Sequence, residues 1–231
     1  MGIADEIKNN ASTTFKSQWE TREGQKVPEP KDLKLSNEAV HFKRATVLYA
    51  DLDQSTSLVE SKKWHFAAEV YKTYLYAAAR LINDAGGTIV SYDGDRVMGI
   101  FVGGRQCNDA VRCALKINYA VKHYVQTELE SFYKDSTYKI KHVVGIDTSE
   151  MRVARTGVRG DNDLVWVGNS ANLAAKLTGE SADYASWITD RVYDKLDDEQ
   201  KLSSGTNMWK SWQWSKHNND KVYSSTYWWK F

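Results

Sequence analysis

The chain has 231 residues, 42% hydrophobic and 26% charged, enough for one good core with small appendages. Its formal net charge of +1 gives no global attraction to nucleic acid or anionic lipid, so any polyanion must be met locally. No apolar run is long enough to span a bilayer and no signal peptide is recognisable. The expectation is therefore a soluble cytosolic protein that acts on neither nucleic acid nor membrane.

Residues 1–40 form a polar arm that ends in Pro28-Glu29-Pro30, ahead of one domain over residues 41–231. The spacing of Ile3, Ile7, Phe15 and Trp19 suits an amphipathic helix lying on the body or on a second subunit. A loosely ordered tail accounts for the composition equally well.

Residues 45–50 are apolar and rich in β-formers, so they predict a buried strand, which Asp51 and Asp53 interrupt without Gly or Pro. A carboxylate at the inner end of a buried strand is costly unless a cation or several donors satisfy it. Residues 57–84 have helical spacing and stop at Gly86-Gly87, with Ser55, Thr56 and Ser57 as N-cap candidates. Two short strands then meet at Tyr92-Asp93-Gly94-Asp95, where Asp-Gly is the hairpin signal. If this hairpin lies beside the first strand, Asp51 and Asp95 converge, and two carboxylates can hold a pair of Mg²⁺ ions against a triphosphate.

A second helix is predicted from Asn108 or Asp109, with Ala110, Ala114, Ile117, Val121, Val125 and Leu129 on one face. Its Cys107 and Cys113 cannot face each other and lack the companions of a zinc site, while the histidines are scattered. Buried thiols are expected and a zinc hydrolase is not. Strands follow over residues 139–147, 150–158 and 164–167, then a helix over 170–177. The order is an α+β, ferredoxin-like βαββαβ core of the palm type. Trp209, Trp212, Trp214, Tyr227, Trp228 and Trp229 flank a polar turn, which predicts a C-terminal β-hairpin with buried aromatics.

Three stretches carry a resemblance. Tyr49-Ala50-Asp51-Leu52 through Thr56, Gly94-Asp95 with Met98 and Phe101, and Val167-Gly168-Asn169-Ser170-Ala171-Asn172-Leu173-Ala174-Ala175-Lys176-Leu177 resemble, in order and spacing, the signatures of class III nucleotidyl cyclase domains. The likeness covers about residues 42–196. It implies a nucleoside triphosphate substrate, and two Mg²⁺ or Mn²⁺ ions per site held by Asp51, Asp95 and the carbonyl of Leu52. It also implies that Asn172 orients the ribose while the position of Lys176, an Arg in the resembled family, stabilises the transition state. Lysine keeps the charge but loses the planar fork, so Arg152, Arg155 or Arg159 is a candidate helper, as are Lys216 and Lys221 of the C-terminal hairpin. The family builds its sites head to tail between two chains, which implies a homodimer.

The positions at which the resembled family reads a purine hold Ser91 and Val165, matching neither the adenine nor the guanine pattern. An aliphatic Val165 cannot read a purine edge by hydrogen bonds, whereas Tyr49, on the same strand face as Asp51, suits a smaller base. In this the chain is similar to the pyrimidine cyclases of bacterial antiphage signalling. That likeness implies cyclic UMP, or else cyclic CMP, made for a separate cyclic-nucleotide-sensing effector. A purine cyclase with an unusual pocket is the alternative. A non-catalytic cyclase-like module is a further one, against which both retained Asp residues count.

Overall fold

The apolar run ending at Asp51 continues backwards to Glu38, and this long strand is the axis of the computed structural model, which describes residues 2–231. The elements in chain order are α1 (Ile3–Lys16), β1 (Glu20–Glu23), β2 (Glu38–Leu52), α2 (Ser55–Ser61), α3 (Trp64–Asp84), β3 (Thr88–Asp93), β4 (Arg96–Phe101), α4 (Gln106–Ala120) and α5 (Gln126–Phe132). They continue with β5 (His142–Val158), β6 (Asp161–Val167), α6 (Asn169–Leu177), β7 (Ser186–Thr189), α7 (Asp190–Tyr193), α8 (Asp198–Lys201), the small pair β8 (Leu202–Ser203) and β9 (Thr206–Asn207), then β10 (Lys210–Trp214) and β11 (Asp220–Ser225).

The main sheet has the order β10-β11-β7-β5-β2-β4-β3, with β1 beside β2 and β6 beside β5. Its inner strands β5-β2-β4-β3, crossed by α3 and α4, are the expected ferredoxin-like βαββαβ core. Strand β2 is buried on both faces. Leu48, Ala50 and Leu52 pack with Tyr74, Ala78 and Ile82 of α3 and with Ala114 and Ile117 of α4. Val47 turns the other way, into a second cluster with Met98, Ile100, Met151, Val153 and Ala174 of α6. Gly145 lets α6 come this close, because a Cβ there would stand 2.2 Å from the Ala174 carbonyl oxygen.

Several boundaries differ from those expected. The helix expected over 57–84 is two, α2 and α3, parted at Lys62 and Lys63, and Gln54 in the left-handed region (φ +57) precedes α2. No side-chain cap from Ser55, Thr56 or Ser57 forms, because Gln54 takes the N-cap position and these three fall inside the first turn of α2. Helix α4 starts at Gln106 and runs on through a π-helical turn, Val121–Val125, into α5. Residues 139–141 stay outside β5, since the Ile140 amide is taken by the Gln126 side chain at 2.8 Å. The two strands expected over 139–158 are otherwise one, and the irregularity falls on β2, as a register shift between Phe42 and Ala45.

The C-terminal hairpin forms with Trp209, Trp214 and Tyr223 buried, whereas Trp228 lies on the surface. The expected N-terminal helix is present as α1, and Trp19 lies beyond its end. It buries none of its residues, leaving Ile3, Ile7 and Phe15 exposed by 73%, 64% and 89%. Asn37 holds its C-terminal end by donating to the Thr14 and Ser17 carbonyls at 2.8 and 2.9 Å.

Candidate active site

Strand register sets the site. Asp51 lies opposite Arg96 of β4 on one side and Val143 of β5 on the other. The β3–β4 hairpin closes through Gly94, in the left-handed region at φ +61, which delivers Asp95 beside the end of β2. The two carboxylates feel each other: burial and then the charge of Asp95 push the Asp51 carboxyl above the usual range. The Thr178 hydroxyl, just past α6, donates to Asp51 Oδ2 at 3.1 Å. Asp95 Oδ2 is buried with no hydrogen-bond partner.

A buried carboxylate oxygen without a donor, next to a carboxylate strained by its like charge, is an arrangement a divalent cation relieves. Among the described residues no cluster of three or more His, Cys, Asp or Glu could hold an ion unaided. Two carboxylates and the Leu52 carbonyl are a small donor set, of the kind that Mg²⁺ or Mn²⁺ completes with water and substrate phosphates. The residues therefore fit such ions.

On the α3 side of the same strands lies a neutral polar pair. The Tyr74 hydroxyl and His142 Nε2 are buried without partners, their rings 5.7 Å apart. Burial, then the charges of Asp51 and Asp95, raise the Tyr74 phenol well above its ordinary value, and burial lowers His142 to about 4. Tyr138 is pushed up to about 12, chiefly by burial. These rings present no charge to the carboxylates at neutral pH.

Tyr49 is half-buried with the Arg96 guanidinium 5.2 Å from its ring centroid, and Arg96 donates to Asp93 Oδ2 at 2.8 Å. Tyr49, Met98 and Ser91 are register partners across β2, β4 and β3, one row of side chains from the Asp51-Arg96-Asp93 row, about 7 Å along the strands. Val165 belongs to another row, opposite Ala154. It stands 41% exposed on the face of β6 away from Leu164 and Trp166, which pack into the cluster with Tyr49.

Asn172 and Lys176 are on the exposed face of α6. Lys176 precedes Thr178 by two residues, about 200° around a helix, so it turns away from the carboxylate that Thr178 touches. Of the candidate helpers, Arg155 is committed to Asn162 (2.8 Å) and the Leu33 carbonyl (3.0 Å), and Arg152 to Glu150 (2.8 Å). Lys216 pairs with Glu180 at 2.9 Å, Lys221 with Asp190 at 3.5 Å, and Arg159 is exposed in the β5–β6 turn.

Sequence reasoning missed Thr178, Arg96, Tyr74 and His142. Arg96 was findable, since it follows Asp95 and hairpin register places it across from Asp51. Thr178 meets Asp51 across 127 positions and leaves no local signal.

The four-strand core with paired carboxylates at its edge defines the fold of class III nucleotidyl cyclase catalytic domains. The guanylyl cyclase Cya2 superposes with a TM-score of 0.66 at 21% identity, over 79% of this chain and 90% of that one. No family model matches the chain. It is 48% identical over 230 residues to a uridylate cyclase of Burkholderia cepacia, covering 99% of both chains. To a uridylate cyclase of Xanthomonas perforans it is 47% identical over 231 residues, covering 100% of this chain and 99% of the relative. The chain belongs to the uridylate cyclase family of nucleotidyl cyclases.

Proposed function

We propose that the chain is an active pyrimidine nucleotide cyclase that converts UTP, in preference to CTP, to the 3′,5′-cyclic monophosphate and pyrophosphate. The observation that carries this reading is the Asp51–Asp95 pair with its unpartnered buried oxygen, which packing alone does not account for. Near-full-length identity to proteins named uridylate cyclase supports uracil as the base. So does the Tyr49-Met98-Ser91 row beside the carboxylates, which lacks the family's purine-reading side chains.

Asp51, Asp95 and the Leu52 carbonyl would hold two Mg²⁺ or Mn²⁺ ions, which when bound supply ionisation of the ribose 3′-hydroxyl and neutralisation of the departing phosphates. Thr178 keeps Asp51 Oδ2 oriented, and the neutral Tyr74 and His142 leave the carboxylates' negative charge uncompensated from behind. The Asn172 amide orients the ribose so that O3′ faces the α-phosphorus. The Lys176 ammonium meets the charge that builds there as the O3′–P bond forms and the bond to pyrophosphate breaks.

Since Lys176 turns from its own Asp51, these two halves come from different chains of a head-to-tail homodimer. The cyclic product would act as a second messenger for a separate effector in bacterial antiphage defence, within the cytoplasm. Among the described residues no helix is long and apolar enough to cross a membrane.

Given UTP with Mg²⁺ or Mn²⁺, the purified chain should release cyclic UMP and pyrophosphate. Asp51→Asn and Asp95→Asn should each lower turnover by at least about a hundredfold. A variant of either position with wild-type turnover would overturn the assignment.

A further inference from the structure

Helix α6 carries Asn172 and Lys176 and is fastened to the sheet along its opposite side. Ser170, Ala174 and Thr178 follow one another at intervals of four, each about 40° on from the last, so they share one side of the helix. Ser170 and Ala174 are fully buried. Asn172 and Lys176 stand two residues on from these, about 200° round, and are exposed. Whatever holds the inner stripe therefore sets where the outer pair points.

Two of the fastenings are the close approach of Gly145 to the Ala174 carbonyl and the bond from Thr178 to Asp51. The third is built from hydroxyl groups, at the Asn172 end. Gly168, in the N-cap position, has no side chain to offer the first turn of α6. Ser149 of β5 serves instead. Its Oγ accepts from the Ser170 amide at 3.0 Å and lies 2.9 Å from Ser170 Oγ, where its proton has an acceptor. The Glu150 carbonyl oxygen, at 3.0 Å, is a second acceptor for the same proton. The Ser170 hydroxyl donates in turn to Met151 Sδ at 2.9 Å. The start of the helix can come this near because residue 168 is Gly, at which a Cβ would stand 2.7 Å from the Glu150 carbonyl oxygen.

We propose that Ser149 is a positioning residue for cyclisation, holding the first turn of α6 so that the Asn172 amide meets the ribose; this rests on the cyclase reading above. Without the Ser149 hydroxyl the Ser170 amide loses its acceptor and the first turn can roll, while Thr178 still holds the Lys176 end. Orienting O3′ towards phosphorus matters most in the transition state, so the loss falls on kcat and not on KM.

Ser149→Ala should lower kcat for cyclic UMP at least about tenfold, with KM for UTP within about threefold of wild type. Ser149→Thr, which keeps the hydroxyl, should hold both constants within about threefold of wild type. Ser149→Val has the shape of Ser149→Thr without the hydroxyl and should behave as Ser149→Ala, so this pair makes the same comparison if the alanine variant does not fold. Wild-type kcat in the variants that lack the hydroxyl overturns the proposal. So does an equal loss in Ser149→Thr and Ser149→Val, or a loss confined to KM. A wild-type chain that makes no cyclic UMP overturns instead the cyclase reading on which the proposal rests.

Discussion

Asp51 sits in a conflict between stability and function. Its raised pKa means that the folded chain, without metal, disfavours the carboxylate relative to the unfolded chain. The sign is that of a group whose stabilising form is the protonated one, so stability is lost as pH rises from the ordinary value of 3.8 through the folded pKa. Asp51→Asn keeps an acceptor for Thr178 and removes the charge. In EDTA its Tm should match wild type near pH 3.5 and exceed it at pH 7, although turnover is lost; an equal or lower Tm at pH 7 would contradict the electrostatic reading. His142 titrates in the opposite sense. Held neutral down to about 4 against 6.5 for the free side chain, it stabilises the fold above pH 6.5. That stability is lost as pH falls towards 4, to the order of 3 kcal/mol. Urea unfolding of wild type between pH 7 and 4.5 should show this decline, and His142→Gln should flatten it.

Among the elements, α6 depends most on one small residue. Gly145→Ala would drive a methyl into the Ala174 carbonyl, so α6 must lift and Thr178 must leave Asp51. The expected cost is about 3 kcal/mol in urea unfolding, with turnover falling beyond what the remaining folded fraction explains. Normal turnover in the folded fraction would show that α6 need not touch β5 so closely. The core elements were legible because their apolar periods match what they bury: residues 45–50 as β2, the hairpin around Asp93-Gly94, and the stripe of α4. The misread boundaries left no Gly or Pro signal or were decided by a partner on another element. Lys62 and Lys63 divide α2 from α3 without Gly or Pro, and Gln126, on another element, keeps Ile140 out of β5. The convergence of Asp51 and Asp95 was legible because Asp51 ends an apolar strand and the Asp-Gly turn sets the second carboxylate at the tip of the neighbouring hairpin. Thr178, Tyr74 and His142 act through tertiary placement and look like ordinary packing residues in the sequence.

For the whole molecule, the exposed Lys176, turned from its own chain's Asp51, is what supports the proposed sharing of sites between copies. Mixing Asp51→Ala with Asn172→Ala chains in equal amounts should recover about a quarter of wild-type turnover. Random pairing makes half the dimers mixed, and each of those has one intact site. No recovery after subunit exchange would contradict a shared site. Selection of uracil by an active cyclase meets its sharpest test when UTP, CTP, ATP and GTP are supplied at equal concentration with Mg²⁺ or Mn²⁺ and the cyclic products are weighed by mass spectrometry. Cyclic UMP should dominate, with cyclic CMP a minor product and cyclic purines absent. Dominant cyclic AMP or cyclic GMP would leave the fold standing and contradict the reading of Tyr49, Ser91 and Val165.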